Sequence, residues 1–139
     1  MVDNVTLKDL CEFNKLGELI NPNFSKVYKL NEILELNYNY IWGYFLNNKL
    51  VAFLHITKSY ESVDIINIVV DDKVRRKGIA MILLNYLYNY FSDVKEIFLE
   101  VNENNKIAIN FYKKNNFYEI NCRRNYYGDD SAIIMKRDV

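Results

Sequence analysis

The sequence has little of what marks several common protein classes. Its 18 basic and 18 acidic residues cancel to a formal net charge of zero. This balance argues against a general nucleic-acid binder, because such a protein needs a basic face. No apolar run approaches the length that crosses a membrane. We therefore expect neither nucleic acid nor a membrane as a partner.

Cysteine and histidine are also scarce. Cys11 and Cys122 lie far apart without metal-type spacing, and the polar N-terminal residues lack the apolar core of a secretory signal. We expect two reduced thiols and a cytoplasmic location. His55, the one histidine, sits in an apolar stretch, where a buried core histidine is favoured over a catalyst. The sequence contains no metal-ligand cluster and no nucleophile pair of the Ser–His or Cys–His kind.

Core-forming residues are abundant by contrast. Half of the 139 residues are hydrophobic and 15% are aromatic, which is enough for one domain with a sizeable core. No linker, repeat or low-complexity segment divides the chain, and the single proline, Pro22, is expected in a loop between two helices. We predict one domain over residues 1–139, present as a monomer or a weak dimer.

Two helices are predicted in the first forty residues. Thr6 can cap the first helix, which runs to about Leu19, with Asp9 completing a capping box. Ser25 can cap the second helix, which the apolar spacing places at Lys26–Asn37.

The remaining residues predict a mixed sheet with helical connections. Three meander strands are expected at 40–45, 50–57 and 65–70, and the first two are joined by a tight turn at Asn47-Asn48. Helices are predicted at 78–91 and 105–115, and strands at 97–101, 119–126 and 132–136. The fold class is therefore α/β, with a mixed sheet that is parallel only where a helix connects two strands.

The charged turn after the third strand is the most informative segment. Arg75-Arg76-Lys77-Gly78-Ile79-Ala80 leads directly from a strand into an apolar helix. Small residues at Gly78 and Ala80 let backbone N–H groups approach a ligand, and a helix N-terminus favours negative charge. Three basic side chains add full charges, so the turn suits a pyrophosphate. A charged helix start with a permissive glycine is the alternative interpretation of the same residues.

Three further motifs follow this turn in the second half of the chain. They are Leu99-Glu100-Val101 with Asn104-Asn105, then Ala108-Ile109-Asn110-Phe111-Tyr112 with Phe117, and last Arg123-Arg124-Asn125-Tyr126-Tyr127 with Ala132-Ile133-Ile134-Met135. In this order they resemble the GNAT N-acetyltransferase superfamily. Within it they are similar to the bacterial ribosomal-protein-alanine N-acetyltransferase (RimI-type) family. The resemblance covers residues 40–136, and the first forty match only in helix–loop–helix character.

The resemblance implies a GNAT-like fold, in which an antiparallel meander is followed by a splayed parallel pair, and it implies acetyl-CoA as cofactor. The main chain of Ile68, Val69 and Val70 would bind the acetyl-pantetheine end, where this strand splays from 97–101. Asn105 would make a further coenzyme A contact. The pyrophosphate would lie on the turn and helix start, formed by Arg75, Arg76, Lys77, Gly78, Ile79, Ala80 and Met81.

Two catalytic residues and an acceptor surface are also implied. Glu100 matches the family's general base, acting directly or through water, and Tyr112 matches the general acid that protonates the coenzyme A thiolate. Tyr126 and Tyr127 are candidates for acceptor contacts. From the residues alone, Glu100 could instead be a solvated strand end or part of a structural ion pair. The two C-terminal tyrosines could likewise be strand-end packing.

The acceptor that the resemblance favours is the α-amino group of a protein N-terminus, with a ribosomal protein's N-terminal alanine as the family example. An α-amine, with a pKa of about 7.7–8.0, is partly neutral at pH 7, whereas a lysine amine has a pKa of about 10.4. This difference of about 2.5 units is worth roughly 3.4 kcal/mol, so a modest base suffices for an N-terminus.

Other functions are left open. A GNAT enzyme acting on a small amine or a lysine keeps the same chemistry, and a non-catalytic acetyl-CoA-binding subunit keeps only the cofactor site. A nucleic-acid adaptor would need a wider basic face. The chain departs from the family pattern at Asn102, often an arginine, and at Pro22-Asn23-Phe24-Ser25, where a proline–tryptophan feature is usual. Asn116 replaces a glycine just past a helix, where asparagine is the next best residue for a left-handed backbone.

Overall fold

A computed structural model describes residues 1–139. The strands are β1 (Val2–Asn4), β2 (Asn39–Leu46), β3 (Lys49–Ser59), β4 (Ser62–Val70), β5 (Glu96–Asn102), β6 (Tyr118–Tyr127) and β7 (Asp130–Asp138). The helices are α1 (Leu10–Gly17), α2 (Phe24–Val27), α3 (Leu30–Glu35), α4 (Ile79–Tyr90) and α5 (Lys106–Lys114), with 3₁₀ turns at Leu7–Asp9 and Asp72–Val74.

The seven strands hydrogen-bond in the order β1-β2-β3-β4-β5-β7-β6. β4 and β5, which α4 connects, pair in parallel, whereas the ladders β1–β2, β2–β3, β5–β7 and β6–β7 are antiparallel. The predicted α/β mixed sheet, parallel where a helix joins two strands, is therefore confirmed. β1 was not predicted, because a three-residue strand gives no periodic signal. No helix has the length and apolar character of a membrane span.

The N-terminal helices differ from their prediction. The first begins with a 3₁₀ turn and ends at Gly17, although the Asp9 carboxylate accepts the Thr6 N–H at 2.9 Å as the capping pattern indicated. The single helix predicted at 26–37 is wrong, because α2 and α3 are separate. Phe24 and Leu30 are both buried, and in one continuous helix they would point about 120° apart. The break between α2 and α3 lets both side chains enter the core.

The chain divides into two compact units. The first contains residues 1–57 and 67–92. Its core is aromatic at the centre, where the ring of Phe13 lies 5.4 Å from that of Phe24 and 4.6 Å from that of Phe53. Asn47 and Asn48 have φ values of 52° and 65°. The tight turn predicted there, with both residues left-handed, is confirmed.

Aromatic packing also fixes α4 within the first unit. Trp42 of β2 is fully buried, and its ring centroid lies 5.1 Å from that of Tyr86 and 4.8 Å from that of Tyr90. Both tyrosines belong to α4. These ring contacts hold the C-terminal half of α4 on β2.

The second unit contains residues 58–66 and 93–139. β5 pairs with the start of β4 on one side and with β7 on the other. Alternate residues of β5 are buried in this unit. Other buried residues of the unit come from α5, from the turn after α5 and from β7, and the set includes Ile97, Leu99, Val101, Ile109, Tyr112, Phe117 and Met135. β6 is exposed along its whole length, so its side chains are available on the surface of this unit.

Candidate active site

The turn between β4 and α4 has the backbone geometry of an anion site. Arg76 and Gly78 are left-handed, with φ values of 68° and 74°, and Gly78 is the residue that precedes α4. No side chain caps the helix start, and its first turn carries no acidic residue. A Cβ added at Gly78 would meet nothing within 4 Å. The first helical hydrogen bond of α4 is donated by the Ile82 N–H to the Gly78 carbonyl oxygen at 3.0 Å. The N–H groups of Ile79, Ala80 and Met81 precede it, so negative charge is favoured at this helix start.

The three basic residues of this turn are not equivalent. Arg75 pairs with Asp72 at 2.8 Å and donates from Nε to the carbonyl oxygen of Val70 at 3.4 Å. Arg76 and Lys77 are exposed and form no ion pair. The unbalanced positive charge of the turn thus comes from Arg76 and Lys77.

Buried and partly exposed side chains alternate at the end of β4, the strand that precedes the turn. Val69 is buried, whereas Ile68 and Val70 on the opposite face are partly exposed. The parallel ladder of β4 with β5 ends at Ile65–Leu99, before the residues expected to bind the acetyl-pantetheine end.

Glu100 lies on β5 in an ion pair. Its Oε1 is 3.2 Å from Nη1 of Arg123, and 32% of its side chain is accessible. The Arg123 guanidinium also lies over the ring of Tyr126, 5.5 Å from the centroid. Desolvation, together with the charge of Glu100, raises the pKa of Asp64. The ion pair that the residues alone allowed is present, and the carboxylate is still accessible beside it.

Tyr112 is held by the end of α5. The Phe117 N–H donates to the carbonyl oxygen of Tyr112 at 3.0 Å, and the Asn116 N–H donates to that of Lys113 at 3.1 Å. Asn116 has a φ of 69°, which confirms the left-handed position expected of it. This is a Schellman motif, and its usual apolar contact joins Tyr112 and Phe117, whose ring centroids are 5.5 Å apart. Tyr112 is buried at 6% exposure.

Asn105 and its neighbours form a polar cluster. Asn105 caps α5, because its Oδ1 accepts the Ala108 N–H at 3.2 Å. Just before it, Asn102 and Asn104 donate to the two carboxylate oxygens of Asp130, at 3.1 and 2.7 Å. The loop that carries Asn105 is therefore tied to the β6–β7 hairpin.

That hairpin presents the two candidate acceptor tyrosines. Tyr126 is 52% exposed and Tyr127 is 43% exposed, and their ring centroids are 5.0 Å apart. Both rings are therefore on the surface of the second unit rather than in its core. Asn125, just before them, has a left-handed φ of 56°.

The predicted site residues are distributed over the two units, and the structure adds two neighbours of Glu100 that were not predicted. Glu100, Tyr112, Asn105 and the tyrosine pair belong to the second unit, and residues 68–70 and 75–81 belong to the first. Sequence reasoning did not identify Arg123 or Asp64 as neighbours of Glu100. Asp64 carried a signal, because it is a charged residue inside an apolar strand. Arg123 carried none, since its pairing depends on strand register.

The mixed sheet, with its parallel pair joined by α4 and a basic turn before that helix, has the GNAT fold. The chain belongs to the acetyltransferase (GNAT) family, whose model matches residues 10–117. The predicted family resemblance is confirmed.

Two curated relatives within this family are N-acetyltransferases. The chain is similar to the [ribosomal protein bS18]-alanine N-acetyltransferase of Salmonella typhimurium, 33% identical over 95 residues that cover 64% of each chain. The N-alpha-acetyltransferase of Saccharolobus solfataricus is 29% identical, over 98% of this chain and 91% of the relative. The matched region thus spans under two thirds of the Salmonella protein and nearly all of the archaeal one.

Solved structures agree on the fold. The ribosomal-protein-S18-alanine N-acetyltransferase from Escherichia coli has a TM-score of 0.86 at 23% identity, with 100% of this chain and 93% of that chain covered. A GNAT family acetyltransferase from Elizabethkingia anophelis, solved with acetyl-CoA bound, has a TM-score of 0.81 at 16% identity, with 100% and 97% covered.

Proposed function

We propose that this protein, as one domain over residues 1–139, transfers the acetyl group of acetyl-CoA to the α-amino group of a protein N-terminus. The observation that carries the proposal is that both Glu100 and Tyr112 are present at the family's motif positions. Glu100 is accessible on β5, and Tyr112 is fixed by the Schellman motif at the end of α5. A non-catalytic subunit would not need either residue. A protein N-terminus, with a ribosomal alanine as one candidate, is the acceptor that the relatives' names support.

The residues of the β4–α4 turn fit the diphosphate of coenzyme A. The helix start is uncapped and has no acidic residue in its first turn, the space at Gly78 is open, and Arg76 and Lys77 add positive charge. Asn105 would donate from its side-chain amide, since its Oδ1 already caps α5. The main chain of Ile68, Val69 and Val70 would hold the acetyl-pantetheine end, supported by the end of the β4–β5 ladder at Ile65–Leu99. Acetyl-CoA, when bound, supplies an acetyl group activated as a thioester.

Glu100 would take the proton that the acceptor ammonium must lose before it attacks. Its carboxylate is accessible and next to the exposed hairpin of Tyr126 and Tyr127 through Arg123. Tyr112 would hold, at its hydroxyl, the proton that the leaving thiolate receives. Because the α-amine of an N-terminus is partly neutral at pH 7, this arrangement needs only a modest base.

The acceptor is tested by mass spectrometry after incubation with acetyl-CoA and hexapeptides that begin with Ala, Ser, Met or Gly. An N-blocked peptide with an internal lysine is the matched control for side-chain chemistry. We expect a gain of one acetyl group on free N-termini and none on the blocked peptide. Transfer to the lysine alone would reject the Nα proposal, and binding of acetyl-CoA without any transfer would favour a small amine or a non-catalytic role.

A further inference from the structure

The arginine that pairs with Glu100 belongs to a strand that is not its neighbour. Glu100 on β5 stands opposite Ile134 of β7, and Arg123 on β6 stands opposite Ala132 of β7. The Arg123 side chain therefore crosses β7 to bring Nη1 within 3.2 Å of Glu100 Oε1. Directly opposed residues share a face of the sheet, and the small side chain of Ala132 leaves room for this crossing.

Another cation can replace Arg123 at the Glu100 carboxylate with little loss of stability. The Arg123 side chain is 54% accessible and the Glu100 side chain is 32% accessible. Accessible ion pairs contribute little to stability. Arg123 also has a second contact, because its guanidinium lies over the Tyr126 ring at 5.5 Å. If Glu100 accepted another cation, Arg123 would keep this stacked position.

A second carboxylate, that of Asp64, adds negative charge near Glu100. Asp64 on β4 is in register with Phe98, which projects from the same face of β5 as Glu100. The charge of Glu100 contributes to the raised pKa of Asp64, after desolvation. Of these two carboxylates, Glu100 is paired with Arg123, and the remaining negative charge favours a second cation beside them.

Building on the proposed function, we propose that Arg123 takes the place of the acceptor ammonium while no acceptor is bound. It holds Glu100 in the empty protein and yields that carboxylate to the incoming α-ammonium, remaining over Tyr126. Arg123 is then a positioning residue for Glu100, and every acceptor must compete with it. Only the protonated fraction of an acceptor amine gains from this exchange, so the competition with Arg123 acts on binding of the ammonium form.

Calorimetric binding, with coenzyme A present, tests this without requiring turnover. The probes are an alanine-starting hexapeptide with a free N-terminus and the same peptide N-acetylated. In Arg123→Gln, we expect the free peptide to bind about two- to fivefold more tightly than in the wild type. Its affinity should also fall more steeply with salt, because the ammonium then meets uncompensated carboxylates. Arg123→Lys and the neighbouring control Arg124→Gln should remain near wild type, and the N-acetylated peptide should be unaffected.

Three results would overturn the role of Arg123. They are an unchanged affinity and salt dependence in Arg123→Gln, a weaker binding of both peptides, and no binding of the free peptide to any variant. Acetyl transfer to the same peptide by the wild type reports separately on the proposed function. Transfer without the affinity change rejects only the role of Arg123, and the affinity change without transfer rejects only acetylation of that N-terminus.

Discussion

The carbonyl oxygen of Tyr112 accepts the Phe117 N–H at 3.0 Å, and the two rings pack with centroids 5.5 Å apart. One bond thus fixes the main chain of Tyr112, and one ring contact fixes its side chain. The hydroxyl of Tyr112 takes part in neither contact, so it can be removed without disturbing them.

Tyr112→Phe should therefore separate chemistry from folding. We expect kcat to fall by about 10²–10⁴, the usual contribution of a general acid. The free energy of unfolding should change by no more than about 1.5 kcal/mol, the usual net contribution of one hydrogen bond, because the ring and the Schellman motif remain. Steady-state rates and urea unfolding measure the two quantities. Tyr118→Phe, which removes a hydroxyl bonded to Asp138 in the same unit, is the matched control and should keep kcat. An unchanged kcat in Tyr112→Phe would reject its role.

Glu100→Gln keeps the shape of the side chain and removes its charge. We expect kcat with an N-terminal peptide to fall by about 10²–10⁴, because the amide cannot accept the ammonium proton. Raising the pH should recover part of the rate, since a larger fraction of the α-amine is then neutral. Stability should change little, because the Arg123 pair is accessible. A rate that is low and independent of pH up to pH 9 would contradict a role as base.

The three basic residues of the β4–α4 turn should differ in their effect on cofactor affinity. Arg75 is paired with Asp72 at 2.8 Å, and Arg76 has no ion pair. We expect Arg76→Gln to raise the KM for acetyl-CoA about fivefold, equivalent to about 1 kcal/mol for an accessible charge contact. Arg75→Gln should have a smaller effect, and the KM for the peptide should stay constant in both. Equal effects of the two substitutions on the KM for acetyl-CoA would contradict the expectation that the ion pair with Asp72 makes Arg75 less important than Arg76.

His55 should make stability depend on pH. It is buried, its Nε2 lies 2.8 Å from Asn39 Oδ1, and burial lowers its pKa from 6.5 to about 4. The unfolded chain therefore binds the proton first as the pH falls. Stability is constant above pH 6.5, decreases between pH 6.5 and 4, and stops decreasing below pH 4.

From pH 7 to pH 5 this loss amounts to about 2 kcal/mol, at 1.36 kcal/mol per pKa unit. Urea unfolding at the two pH values measures it. His55→Gln, which retains a polar side chain without a titrating group, should remove most of this slope. The same slope in both proteins would mean that other groups cause it.

Local chemistry explains which parts of the fold were predictable. The hairpin at Asn47-Asn48, the left-handed Asn116 and the Asp9 cap each depend on residues within a few positions of one another, and all three were predicted. The single helix at 26–37 was wrong, because the helix begins earlier, at Phe24, and stops at Val27. A continuous helix from Phe24 would point Phe24 and Leu30 about 120° apart, although both are buried. Propensity cannot anticipate such a break, since the core itself produces it.

The family, the mixed sheet and the motif positions of Glu100, Tyr112 and the Arg76–Met81 turn were predictable, because spacing along the chain carries that information. The ion pair of Glu100 became visible only in the folded protein. Arg123 reaches Glu100 across β7, because strand register and side-chain length together bring residues 23 positions apart to 3.2 Å. Such pairs leave no periodic signal in a sequence, since each depends on the positions of several elements at once.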